Sequence, residues 1–309
     1  MQALIEVILP VFLVIGFGYA VAKFGVLSDA GIDVLMKFAQ NIAIPCLLFR
    51  AMSTLDLHQG FSVPLLLAYY GGSTAGFALG LIGARVLFRR NWTDSVAIGF
   101  CCLFSNAVLL GLAITERAYG HAALTGNYAI IALQAPYSYA LGVTAMEMAR
   151  NAGGGLGPTF LRILKSLLRN VFVVSIGIGL IFNLAHLPTP GVVADALDMM
   201  VRAAIPVAIF GLGGVLVRYR PEGDLRTVLM VCAIALLVHP AVTWVIALAF
   251  HLDRDAFRSA VMTASMAPGV NAYIFANMFG AARRVAASSV LIATGLSILT
   301  IWMWLGILP

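Results

Sequence analysis

The chain has 309 residues, of which 61% are hydrophobic and only 10% charged, and its mean hydropathy is +0.99. A water-soluble globular protein is roughly half apolar and a quarter charged, so this composition excludes one and predicts a membrane protein along its whole length. The formal net charge of +6 does not point to nucleic acid, because the basic residues sit in short loops between apolar runs, where they set orientation in a bilayer.

In chain order, apolar runs at 2–22, 31–51, 62–87, 95–115, 122–148, 163–185, 192–217, 226–250, 257–279 and 285–308 predict ten transmembrane helices joined by short connections. The first run, Leu4 to Ala22, is too long for a signal-peptide core and lacks a basic leader, so it reads as a retained span. Cys46, Cys101, Cys102 and Cys232 all fall inside apolar runs without zinc spacing and read as small packing residues. Polar, glycine-rich chain from Arg150 to Lys165 marks the joint between two halves. Residues 1–150 and 163–309 are each expected to form a five-helix unit, with 151–162 as a cytoplasmic linker. Loops after odd-numbered spans carry most of the Lys and Arg, including Arg89, Arg90, Arg150, Arg218, Arg283 and Arg284. Those after even-numbered spans carry Arg50, Arg117, Arg254 and Arg258. That bias predicts cytoplasmic odd loops and both termini on the non-cytoplasmic side of a cell (inner) membrane.

Two runs carry signs of interruption. In span 9, Pro268 removes a backbone donor, Gly269 loosens the next residue, and Asn271 brings an amide to the same depth. In span 4, Ser105 and Asn106 compete for backbone hydrogen bonds and Gly111 weakens the helix further. The two stretches occupy matching places in the two halves. Gln40-Asn41-Ile42-Ala43-Ile44-Pro45 likewise lines up with Val201-Arg202-Ala203-Ala204-Ile205-Pro206, which makes Pro45 and Pro206 a second expected pair of helix breaks. An odd number of crossings per unit inverts the second unit relative to the first. Inverted repeats with interrupted helices at corresponding positions are the signature of a secondary transporter.

The polar residues inside the runs are few. Asn106 and Asn271 present amides at the breaks, with Ser105 beside the first, and Asn41 is an amide for a cavity or a helix contact. Gln134 lies at mid-membrane in span 5, two helical turns from Asn127. Arg202 either meets a substrate carboxylate, or snorkels outward, or pairs with Asp198 one turn earlier. His239 reads as a core histidine or a proton relay. No Asp or Glu falls at the middle of a span, and Walker, dinucleotide and metal-binding motifs are missing, so neither an enzyme, a cofactor nor a bound metal is expected.

The Ala-Ile-Pro-Cys-Leu-Leu-Phe stretch at 43–49, Ser105-Asn106 with Gly111, Leu133-Gln134, and Val270-Asn271-Ala272-Tyr273-Ile274-Phe275-Ala276 resemble the auxin efflux carrier family, whose bacterial branch includes malonate-transporter-like permeases. The resemblance runs over essentially the whole chain. It implies an all-α polytopic fold of two inverted five-helix repeats, similar to bile-acid/sodium symporters and to sodium/proton antiporters of the NhaA type, with broken helices 4 and 9 crossing beside the substrate. Spans 1, 2, 6 and 7 would form a scaffold, and 3–5 with 8–10 a moving unit. The family's crossover asparagine matches Asn106 and its span 5 glutamine matches Gln134. Plant members keep crossover prolines where this chain has Ala113 and Asn271. The function expected is alternating-access transport of small organic anions, mono- or dicarboxylates such as malonate. A coupling ion (H+ or Na+) and a homodimer are compatible with it. The alternatives are an ion-coupled porter of another small solute and a membrane receptor that binds without translocating.

Overall fold

The computed structural model describes residues 4–55, 62–150, 171–220 and 224–309. Each predicted apolar run is mainly helical where it is described, the fourth and ninth with an interruption. The linker at 151–162 and the start of the sixth run lie outside the described residues. The protein is an all-α, multi-pass membrane protein: among the described residues, seven helical runs are long and apolar enough to cross a bilayer, with shorter apolar helices at Trp92–Leu103 and Val171–Leu184.

A single turn of π-helix, Leu4–Ile8, leads into α1 (Leu9–Lys23). Helix α2 (Asp29–Phe38) starts at Ser28, whose hydroxyl accepts from the Gly31 N–H, and continues through a π turn at Ala39–Ala43 into α3 (Ile44–Ser53). After it come α4 (Val63–Leu87) and α5 (Trp92–Leu103), the latter capped by Asn91. Beyond a break lie a π turn at Ala107–Gly111 and α6 (Leu112–Tyr119), then α7 (Thr125–Ala149). The second half supplies α8 (Val171–Leu184), α9 (Gly191–Leu216) and α10 (Leu225–Ala233). A π turn at Ile234–Val238 joins α10 to α11 (His239–Ala249), followed by α12 (Arg254–Ala264), α13 (Val270–Phe279) and α14 (Arg283–Ile307).

The interruptions at Phe104–Asn106 and Ser265–Gly269 fall where Ser105-Asn106 and Pro268-Gly269 predict them. Pro45 and Pro206 behave differently from expectation. Pro206 lies inside the unbroken α9, and Pro45 sits in the first turn of α3, directly after the π turn. A proline deletes one backbone donor and crowds one carbonyl, and a helix can absorb that as a kink or a widened turn without opening. At Pro45 the consequence is local: the Asn41 carbonyl lacks the N–H that would have bonded back to it. The same thing happens before Pro240, where the freed Leu236 carbonyl accepts from the Trp304 indole at 2.9 Å.

The helices associate in two groups. In one, α1 runs along α9 and α3 along α8; in the other, α4 packs on α5 and α11, and α14 on α10 and α13. Lipid tails are as apolar as the side chains, so association in a bilayer depends on close packing of small residues. Gly18 and Gly213 show this at the α1–α9 contact. A Cβ on Gly18 would run into the Phe210 carbonyl, and one on Gly213 into the Ile15 carbonyl. An ion pair, Arg50 Nε to Asp198 Oδ1 at 2.9 Å, ties α3 to α9 at the edge of the same group.

Candidate functional site

The two breaks meet. Ser105 and Pro268 form an isolated antiparallel β-bridge, in which the Asn106 N–H donates to the Ala267 carbonyl (2.8 Å) and the Gly269 N–H donates to the Phe104 carbonyl (2.9 Å). A non-helical backbone in a bilayer must be satisfied by protein or by a wet cavity, and here each break supplies the other. The missing N–H of Pro268 is harmless, because the bridge uses the Ala267 carbonyl before it and the Gly269 N–H after it. Behind the crossing, the Phe100 and Phe275 rings stack with centroids 3.9 Å apart, locking α5 to α13.

Side chains complete the arrangement. Gln134, on α7 and 3% exposed, donates from its amide to the Ser105 carbonyl (2.8 Å) and to the Tyr69 hydroxyl (3.0 Å). Tyr69 on α4 in turn shares a 2.7 Å hydrogen bond with the Ser105 hydroxyl. Asn127 on the same helix as Gln134 donates to Thr115 Oγ1 (3.2 Å) and to Thr263 Oγ1 (2.9 Å), so one amide fastens α7 to both broken helices. Gln134→Leu removes the donor from the Ser105 carbonyl and strands a buried polar group, a loss of about 1–3 kcal/mol. A clear fall in the thermal unfolding midpoint of the purified protein is expected, and an unchanged midpoint would contradict the role given to this amide.

Asn106 does two jobs. Its Oδ1 accepts from the Leu109 N–H at 3.3 Å, capping the helical segment that begins at Ala107. Its Nδ2 is buried, in a residue 5% exposed, and has no hydrogen-bond partner among the described residues. Beside it lies a cavity of about 280 Å³, bordered by Asn41, Ser105, Asn106, Gln134, Gly269 and Asn271 among others. Two helix N-termini therefore reach this cavity, those of the Ala107 segment and of α13. Asn271 lies in the first turn of α13 and accepts from the Tyr139 hydroxyl at 3.3 Å. Among its described lining residues the cavity has amides, hydroxyls and apolar groups but no charged side chain. No described cluster of His, Cys, Asp and Glu could hold a metal ion.

The chain matches the family described as "Membrane transport protein" over residues 3–305. It belongs to that family. Membership bears out the likeness to auxin efflux carriers and makes this a transport protein of the membrane rather than an enzyme. Relatives include a protein of Rhizobium meliloti (strain 1021) named "Putative malonate transporter", 22% identical over 304 residues, which cover 97% of this chain and 94% of that protein. An "Uncharacterized transporter" of Methanothermobacter thermautotrophicus is 26% identical over 310 residues, 97% of this chain and 96% of that one.

In this membrane transport protein, Ser105, Asn106, Gln134, Gly269, Asn271 and Asn41 come together at one cavity, whereas Arg202 lies apart from it. It borders a second cavity, about 480 Å³, with Glu116, Arg117, His121, Tyr128 and Pro206. Asp198, which the sequence offered as its partner, is taken by Arg50 instead. Helix α6 and the π turn before it connect the two spaces: Asn106 to Leu109 border the first, and Ala113, Glu116 and Arg117 the second. Gly111 closes the π turn, its N–H donating to the Asn106 carbonyl at 2.9 Å. Tyr69 and Tyr139 are site residues that sequence reasoning missed. A tyrosine in an apolar run carries no mark of its hydroxyl's partner, and the only signal was the Tyr69-Tyr70 pair inside what became α4.

Proposed function

We propose that this protein is a secondary transporter of small organic anions, mono- or dicarboxylates such as malonate, in a cell inner membrane, and that it works by alternating access at the crossing. The observation that carries the reading is the Asn106 Nδ2 group. A buried donor without a partner costs about 1–3 kcal/mol, and this one adjoins a cavity where two helix N-termini converge. Helix N-termini favour negative charge, and broken transporter helices present them to anionic groups near mid-membrane. Asn106 and Asn271 donate to the anion, Gln134 holds the crossing in shape, and the Asn41 region closes the other side. Arg202, in the second cavity with Arg117, draws anions toward the entrance. The name carried by the Rhizobium relative supports a dicarboxylate as the first solute to try.

The architecture proposed with this function has ten spans in two inverted five-helix repeats, 1–150 and 163–309, with both termini on the non-cytoplasmic side. Its support is the matched pair of breaks and the Lys/Arg bias between loops. The group containing α1, α3, α8 and α9 serves as scaffold, and the group carrying the crossing moves against it. The two cavities at opposite ends of the Asn106–Arg117 segment are then successive compartments for the solute. Purified protein in liposomes loaded with malonate should exchange it for external labelled malonate. Lack of exchange with malonate and a panel of other carboxylates sinks the anion reading, and binding without exchange of any solute identifies a receptor.

A further inference from the structure

We propose that His239 is a proton-binding site coupled to the crossing, so that the protein carries its anion together with a proton; the proposal rests on the transport reading above. His239 begins α11 directly after the π turn and is 1% exposed. Its Nε2 has no hydrogen-bond partner among the described residues. The backbone of Tyr69 faces the ring as a hydrogen-bond acceptor. A ring with one N–H engaged and the other nitrogen open is a neutral imidazole offering a lone pair, because an imidazolium needs an acceptor at both nitrogens. One turn further along the same face, Thr243 Oγ1 is also buried without a partner. Its hydroxyl oxygen is an open acceptor on the same helix. The glycine opposite, Gly72, has no room for a side chain, since its Cβ would collide with Thr243 Oγ1.

The link to the substrate site is short. The His239 and Tyr69 rings have centroids 5.6 Å apart, within the range at which a cation is attracted to an aromatic face. The Tyr69 hydroxyl bonds Ser105 and Gln134, which border the crossing cavity. Other titratable groups on the surrounding elements are Tyr70 beside Tyr69, Arg85 near the far end of α4, Asp94 in the first turn of α5, and Cys101 and Cys102 toward its end. Arg254, Asp255 and Arg258 lie in the opening turns of α12; Arg226 is in the first turn of α10 and Cys232 near its end. No carboxylate bonds the ring, so the counter-charge for a protonated His239 is the bound anion itself. In a medium of low dielectric an anion and an imidazolium stabilise each other far more than in water. By linkage, a proton that tightens anion binding must be bound more tightly when the anion is present.

The test uses the full-length protein in liposomes and in detergent. An acid outside solution one pH unit below the lumen should drive malonate accumulation toward about tenfold for one proton per anion. His239→Gln should keep malonate exchange while losing the response to the gradient; a gradient response retained in that variant overturns the proposal. Imidazole-nitrogen NMR on histidine-labelled protein in which His58, His121, His186 and His251 are replaced by glutamine, so that the one remaining signal is His239, gives the second reading. Expected is an Nε2 that gains a proton as pH falls, at higher pH with malonate present than without. A ring that stays neutral down to about pH 4 in both samples overturns the proposal even if the variant fails to fold. If no carboxylate exchanges in wild type, the anion reading has failed on its own. The malonate-free titration then decides the proton site, protonation supporting it and a neutral ring refuting it.

Discussion

Asn106→Asp is expected to reduce malonate exchange at least 100-fold while leaving the amount of folded protein in the membrane unchanged. The substitution keeps an oxygen where Oδ1 now accepts from the Leu109 N–H, and a carboxylate caps a helix N-terminus as well as an amide does. What it removes is the Nδ2 donor, the buried group that lacks a protein partner. A lost hydrogen bond to a charged ligand is worth about 1.5–3 kcal/mol, and placing a carboxylate beside an anion in a low-dielectric cavity adds repulsion to that loss. Asn106→Ala should also abolish exchange without lowering abundance. Exchange at the wild-type rate in either variant, measured with labelled malonate in liposomes, removes the crossing asparagine from the binding site.

Gly213→Leu should leave little folded protein, for a reason unrelated to the cavity. Helices α1 and α9 touch backbone to backbone, with Gly18 set against Phe210 and Gly213 against Ile15. A leucine side chain at that point pushes the two axes apart and breaks the packing that holds the group together, a penalty of about 3 kcal/mol or more. Gly16 of α1 supplies the control, because a Cβ there meets nothing within 4 Å. Gly16→Leu should give a symmetric size-exclusion peak in wild-type yield, while Gly213→Leu should give aggregate or nothing. Equal yields would show that the two helices can separate at no cost.

Both breaks of the crossing were legible because each combines a residue that weakens a helix with a polar side chain. Pro268-Gly269 acts through a missing donor and a flexible neighbour, and Ser105-Asn106 through side chains that compete for the backbone. Proline alone was a poor guide. Pro45 and Pro206 look alike in sequence, yet one follows a π turn and the other is absorbed inside a continuous helix. Nothing in the local pattern separates a kink from a break, since the difference is whether another segment stands ready to bond the freed groups. For Pro268 that segment is Phe104–Asn106, far away in the chain. Charged pairs failed for a related reason. Asp198 is one helical turn from Arg202, but Arg50 of another helix reaches it instead. The site's amides could be named from sequence because few polar residues survive in so apolar a chain. The hydroxyls of Tyr69 and Tyr139 could not, because their partners exist only after the helices have packed.

The bridge between Ser105 and Pro268 also bears on how the protein is made. Phe104 and Asn106 enter the membrane roughly 160 residues before Ala267 and Gly269 are synthesised, an interval of about 8–30 seconds at ordinary ribosome speed. Until then the first break has a free carbonyl and a free N–H and cannot rest against lipid. The nascent first half must therefore wait with this stretch sheltered, in the insertion machinery, against water, or in a provisional helix that opens later. Assembly of the crossing is thus a late event in biogenesis, and a chain cut short before Ala267 would be left with an unsealed seam for quality control to find.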